Sequence, residues 1–222
     1  MDKLIRIVQN IGKLLGKYPT IFLDGLWGTL WISAVVVLCG AVLGLLVATL
    51  RMSKVKILNR IADIYIEILR GTPILLQLYL FYFAMPDTVP EAVSIIIALI
   101  VNASAYISEI IRAGIGAVDK GQWEAAKSLG LSPKNTMFRV ILPQATKNIL
   151  PALCNEFITT IKGTSLASVF FLGELMTSFK TAQSATFLAI ESLIVVGVIY
   201  FVLNFVLSRL LRVLERRLAV SD

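Results

Sequence analysis

The chain has 222 residues, 57% hydrophobic and 16% charged, with mean hydropathy +0.83 and formal net charge +7. Soluble domains carry about 45–50% apolar and about 25% charged residues, so this balance belongs to a membrane protein, and a single membrane bundle suits the length. Histidine is absent, which excludes His-based metal sites and Ser-His or Cys-His nucleophile pairs.

In a membrane chain the basic excess reads as cytoplasmic loop charge rather than as a nucleic-acid surface, so no nucleic-acid partner is expected. Cys39 and Cys154 sit in apolar runs without CxxC spacing and read as buried thiols.

At the N-terminus, Lys3, Arg6, Lys13 and Lys17 interrupt the apolar residues too often for a signal peptide. Leu4, Val8, Ile11 and Leu15 recur at helical spacing with lysines opposite. Residues 1–20 are therefore expected to form an amphipathic helix along the membrane interface.

A spanning helix needs about 20 mostly apolar residues. Five segments qualify, near 26–50, 57–85, 91–115, 149–172 and 186–211. The second is broken at Arg70-Gly71-Thr72-Pro73, where Pro73 removes a backbone donor and Gly71 loosens the helix, predicting a kink or unwound turn. Such a break is tolerated at membrane depth only inside protein or against a cavity.

An odd number of spans puts the termini on opposite faces. Arg51, Lys54, Lys56 and Arg60 follow the first span. Arg112, Lys120, Lys127, Lys134, Arg139 and Lys147 surround a long polar interruption, and Arg209, Arg212, Arg216 and Arg217 lie near the C-terminus. Alternation collects these fourteen on one face and leaves five on the other. Positive-inside counting thus places the C-terminus and the polar loop in the cytoplasm and the N-terminus outside, against the basic N-terminal helix.

The interruption, residues 119–147, predicts a short helix over Gly121–Leu131 stopped by Gly130, then a second start at Ser132-Pro133, an amphipathic helix and Pro143. It reads either as a rigid finger, with Ala125 and Ala126 allowing close approach and Glu124 and Lys127 fixing register by charge, or as an ordinary interfacial loop.

Polar side chains inside spans are costly, so they are paired or functional. Asn102, Tyr106 and Glu109 share one face of the third span, and Glu156, Thr160 and Gly163 repeat that spacing in the fourth, while Gln77 follows the break. Facing one another, these would line a passage for a hydrophilic solute. The other reading is interhelical hydrogen bonding by Asn102 and Thr160 and a Glu109–Arg112 pair one turn apart. Glu156 has no basic residue at i±3 or i±4, and Lys162 lies on a different face.

Glu124-Ala125-Ala126, three residues, Gly130, nine residues, then Val140-Ile141-Leu142-Pro143 resembles the EAA loop of ABC importer membrane subunits, with Val140 at the usual Ile position. The segments 23–33, 67–86, 102–130 and 150–169 are similar, in this order and spacing, to the branch that imports polar amino acids. Gly163 departs from it where relatives more often carry Asp or Asn.

The resemblance implies an all-α integral membrane protein of the type I ABC importer permease fold: five transmembrane helices and a cytoplasmic coupling helix. Trp123, Glu124, Ala125, Ala126, Gly130 and Leu131 would dock on an ATPase subunit. It further implies two ATPase copies, a second permease subunit, an extracytoplasmic amino-acid-binding protein and a bacterial cell membrane location.

The chain carries no GxxxxGK[ST] phosphate loop; GKLLGKY at 12–18 is one residue short and ends on Tyr18. ATP and magnesium would therefore be bound by the partner ATPase, with no cofactor or metal in this chain and no enzyme activity of its own. Gln77, Asn102, Tyr106, Glu109, Glu156 and Thr160 become the candidate substrate contacts, and two intramembrane glutamates favour a basic amino acid by Coulomb attraction. The competing class is an ion-gradient-driven secondary transporter, although those usually have more spans and internal repeats.

Overall fold

Pro19 opens the longest helix, at the first turn where its missing N–H costs nothing. The computed structural model describes residues 2–219, and all regular structure among them is helical. α1 (Asp2–Lys17) leads into α2 (Pro19–Arg51), then α3 (Lys56–Gly71), α4 (Ile74–Ala84) and α5 (Glu91–Gly116). The loop region holds α6 (Lys120–Ser128), one turn of α7 (Pro133–Asn135) and a π-helical stretch (Thr136–Ile141). α8 (Leu142–Gly163), a 3-10 segment (Thr164–Phe170), α9 (Leu175–Thr186) and α10 (Ala189–Ala219) follow.

Among the described residues, α2, α5 and α10 are each long and apolar enough to cross a membrane; α3 and α4 qualify as a bent pair. The fourth expected span is not one helix over 149–172. Its helix begins at Leu142 and ends at Gly163, and the chain continues as 3-10 turns.

α2 buries small side chains, Gly25, Thr29, Ser33, Gly40, Gly44 and Ala48, along one stripe. Its Gly40 and Gly44 let α5 lie close, the packing mode that works where lipid is as apolar as leucine. Leu23, Trp27, Trp31, Leu38 and Val42 point outward from α2. The core between these helices is built from Ile32, Val36, Leu78, Ile95, Leu99, Ile107, Ile111 and Ile141.

α1 does not present the expected stripe to the protein. Leu4, Val8 and Leu15 stay exposed, while Leu14 is buried and Ile11 and Tyr18 pack with Phe22, Val195 and Val196. Asn10 Nδ2 donates to Glu191 Oε1 at 2.9 Å, tying α1 to α10. The helix thus gives Ile11, Leu14 and Tyr18 to the bundle and leaves Leu4, Val8 and Leu15 of the stripe exposed.

α9 was not anticipated, being short and polar. Glu174 caps it, accepting from Met176 N and Thr177 N, each at 2.7 Å, and from the Tyr200 hydroxyl at 3.0 Å. Burial pushes the Glu174 carboxyl above its ordinary range, against the pull of these donors. Thr29 Oγ1 accepts from Leu175 N at 3.0 Å, and Ser178 Oγ donates to Ile21 O at 2.7 Å, so the helix is stitched to α2. A side chain on Gly28 would run into the carbonyl oxygen of Gly173.

Candidate functional site

The break in the second expected span is far sharper than a kink: α3 and α4 meet at 108°. Pro73 disfavours helix at the residue before it, and Thr72 is extended, φ −117° and ψ 147°. The backbone acceptors exposed by the break are met by a side chain. Gln77 Nε2 donates to Leu69 O at 2.9 Å and to Thr72 Oγ1 at 2.8 Å, and Gln77 Oε1 accepts from Asn102 Nδ2 at 2.9 Å.

Against this break lies a cavity of about 390 Å³. Thr72, Pro73 and Ile74 form one wall, Asn102, Ala103 and Tyr106 of α5 a second, and Glu156, Thr159, Thr160 and Gly163 of α8 a third. Its volume lies within the range of small-molecule sites, about 300–1,000 Å³. It opens where two helices present polar faces and a third supplies broken backbone, the arrangement that suits a hydrophilic solute inside a bilayer.

Four of the six candidates line this space: Asn102, Tyr106, Glu156 and Thr160. Asn102 spends its Nδ2 hydrogens on Gln77 and on Leu69 O, at 3.4 Å, leaving Oδ1 as the uncommitted end. Among the described residues, Glu156 is half-buried and carries no ion pair or hydrogen bond. Thr72 and Thr159 are cavity residues that the intramembrane polar pattern did not single out; Thr72 sat inside the recognised break, and Thr159 beside Thr160 had no signal of its own.

Two candidates lie off this cavity. Gln77 does not line the cavity; it is buried behind it, holding the α3–α4 junction and Asn102. Glu109 is not on the cavity wall either, although it lies two turns beyond Asn102. It pairs with Arg51 of α2, with Arg112 at 2.9 Å and with Arg70 at 3.8 Å. Arg51 also holds Asp63 of α3 at 2.7 Å. Three guanidinium groups and two carboxylates thus bind the ends of α2, α3 and α5 into one charged knot, next to Tyr106, whose ring centroid is 5.5 Å from the Arg70 guanidinium.

Both cavity helices run into the polar loop. α5 leads through Asp119, whose side chain accepts from Gly121 N at 2.7 Å, into α6. Gly130 ends α6 with φ +73°, and Leu131 N donates to Ala126 O at 3.1 Å, a Schellman closure. Ser132 accepts from Asn135 N and starts the next turn. Pro143 was expected to end an amphipathic helix. Instead the chain widens into π turns over Thr136–Ile141 and passes through Pro143 into α8. Proline offers no N–H to the carbonyl of Arg139 and crowds it, and a wider turn relieves both effects.

α6 rests on these π turns and is tied to the start of α8, where Gln144 Nε2 donates to Gln122 Oε1 at 3.1 Å. Ala126, expected to face a partner, is only 2% exposed and packs inward. Trp123, Glu124, Ala125 and Gly130 are open, Leu131 is half-buried, and Leu129, which the sequence reading passed over, is 81% exposed. α5, α6, the π turns and α8 therefore form a closed mechanical loop between the outer tip and the cavity.

An α-helical membrane bundle whose cavity carries a few polar side chains, with a helical finger outside the bundle, has the layout of a solute permease. Residues 40–220 match the family described as "Binding-protein-dependent transport system inner membrane component", and the chain belongs to that family. It is similar to the arginine transport system permease protein ArtQ of Bacillus subtilis (strain 168), 41% identical over 90% of this chain and 93% of that one. It is also similar to the L-cystine transport system permease protein TcyB of the same organism, 40% identical over 87% and 85% of the two chains. A putative glutamine transport system permease protein GlnP of Rickettsia bellii (strain RML369-C) is 39% identical over 89% and 93%.

Among solved structures, a chain of an amino acid ABC transporter described "with histidines" matches with TM-score 0.87 and 44% identity, covering 91% of this chain and 96% of that one. A chain of the MetNI methionine ABC transporter, at TM-score 0.71 and 19% identity, shares the fold.

The chain is thus a permease subunit of an amino-acid ABC importer, of the type I permease fold. It is embedded in the membrane, works with a binding protein and with a separate ATPase subunit, and is not itself an enzyme. The ion-gradient reading is not favoured.

Proposed function

We propose that the cavity between the α3–α4 break, α5 and α8 is the substrate site, and that it takes a basic amino acid of the arginine, lysine and histidine class. The single observation that carries this reading is Glu156, an unpaired carboxylate on the wall of a largely apolar cavity inside a membrane bundle. An isolated charge at that depth is costly, and a cationic side chain would offset the cost. Asn102 Oδ1, Thr72, Thr159 and Thr160 supply neutral partners for the rest of the solute. The names of the arginine relative and of the transporter solved with histidines support the same class, while the cystine and glutamine relatives leave other amino acids as the competing outcome.

Two ATPase copies, which bind the ATP and magnesium, would dock on α6 of this chain and of a second permease subunit, with a binding protein delivering substrate on the opposite face. The basic distribution supports a cytoplasmic α6 and C-terminus and an external N-terminus. ATP binding closes the motor, the tip moves, and the loop of α5, α6, π turns and α8 re-orients the cavity walls.

The test is transport in vesicles holding this chain with its ATPase and binding protein. Glu156→Gln is expected to raise the KM for arginine about tenfold or more while changing that for glutamine little. Full arginine transport by this variant overturns the reading.

A further inference from the structure

Every α-amino acid presents a carboxylate, yet the cavity wall contains no Lys or Arg; its one charged side chain is Glu156. A cation reaching in from just outside the wall would meet the substrate's negative end more strongly than the neutral donors of the wall. Lys162 is exposed and belongs to a separate groove with Tyr200 and Asn204. Arg51 is committed to Asp63 and Glu109, and Arg112 to Glu109 at 2.9 Å.

Arg70 differs from these. It stands 3.8 Å from a Glu109 oxygen that Arg112 already occupies, and its side chain is 45% exposed. Its guanidinium lies 5.5 Å from the centroid of Tyr106, and Tyr106 lines the cavity. Two residues after it, Thr72 begins the broken-backbone wall of the same cavity. The knot it belongs to counts three positive and two negative groups, so one positive charge is left over.

We propose that Arg70 receives the α-carboxylate of the transported amino acid, as the specificity-determining residue for that end of the molecule. The inference rests on the reading of the cavity as the amino-acid site. The guanidinium, carried on the ring of Tyr106, turns from Glu109 to the carboxylate and binds it with two parallel N–H donors, a fork that an ammonium lacks. Substrate and Glu109 then compete for one cation, and occupancy of the cavity loosens a tie between α3 and α5.

The test sets L-arginine, L-histidine, L-glutamine and L-cystine each beside its α-carboxamide, which has the same shape without the charge. Binding is measured to the permease–ATPase complex in lipid nanodiscs. The amino acid that binds is expected to do so about tenfold or more tightly than its amide, the ratio a charge-assisted hydrogen bond produces. Arg70→Gln is expected to bring the ratio close to one. Glu109→Gln, which frees Arg70, is expected to widen it.

Retention of the full ratio by a well-assembled Arg70→Gln complex overturns the role of Arg70 and leaves the cavity reading standing. A narrowed ratio in Glu109→Gln does the same, and it decides the matter if Arg70→Gln fails to assemble. If the wild-type complex binds none of the four amino acids, the cavity reading falls and this inference falls with it.

Discussion

Asn102 Nδ2 meets Gln77 Oε1 at 2.9 Å, and the same glutamine holds Leu69 O and Thr72 Oγ1 from its other end. One buried amide thereby joins α5 to the corner between α3 and α4, which forms a wall of the cavity. Gln77→Ala leaves Leu69 O and Asn102 Nδ2 with only their long 3.4 Å contact to each other and takes the acceptor from the Asn102 amide, at about 1–3 kcal/mol in all. The expected result is a lower thermal midpoint of the purified complex with KM nearly unchanged in the molecules that remain folded. A large KM rise at full stability would make Gln77 a substrate contact instead.

The two alanines of the loop are expected to part company. Ala126 is packed against the π turns, so Ala126→Leu overfills that contact and costs about 1–3 kcal/mol. Ala125 is open, so Ala125→Leu leaves folding unchanged and weakens only the engagement of the ATPase. Limited proteolysis of the loop, read beside copurification of the ATPase, separates the two effects; equal proteolytic sensitivity would count against this division.

Leu129 is a large apolar side chain standing 81% exposed at the end of α6. Leu129→Glu is expected to lower ATPase copurification several-fold, with the permease still inserted and monodisperse. Glu124→Lys is expected to act in the same direction through charge. Unchanged copurification in both variants would leave α6 as an interfacial loop.

Gly130 holds φ +73°, a conformation that costs an L-residue with a side chain about 1–2 kcal/mol. No atom crowds the position, so the effect of Gly130→Ala is conformational rather than steric. The expected phenotype is partial uncoupling, more ATP hydrolysed per substrate moved, with Gly130→Pro more severe. Normal stoichiometry in both variants would show that the Schellman turn does not transmit motion.

Gly28 offers a contrast, because there the obstacle is space. A methyl group would collide with Gly173 O at the foot of α9, so Gly28→Ala is expected to cost about 1–3 kcal/mol and to detach α9 from α2. Thr29→Val, which removes the acceptor for Leu175 N, is expected to act on the same contact with about 1 kcal/mol. Hydrogen exchange confined to residues 173–186 would report both.

What the sequence by itself determined follows from short-range physics. The uncharged run at 26–50 demands a long membrane helix, Gly71-Thr72-Pro73 demands a break, and Gly130 followed by Ser132-Pro133 demands a stop and a restart. Each of these appears in α2, at the 108° corner and around α6, because backbone dihedrals and main-chain hydrogen bonds are decided by residues a few positions apart. The spacing of Glu124, Gly130 and Pro143 carried the family resemblance for the same local reason.

Only the tertiary structure decided which intramembrane polar groups face the cavity and which face each other. Gln77, Asn102, Glu109 and Glu156 look alike in a sequence, as polar residues in apolar runs. Glu109 is taken up by Arg51 from another helix, Gln77 by the carbonyls of a corner, and Glu156 is left alone. The size of the bend, the hidden Ala126 and the cap at Glu174 were equally out of reach, because each depends on a surface brought up from elsewhere in the chain. Composition sets the cost of a buried charge, but only packing supplies its partner, and in this bundle the carboxylate left without one marks the candidate substrate site.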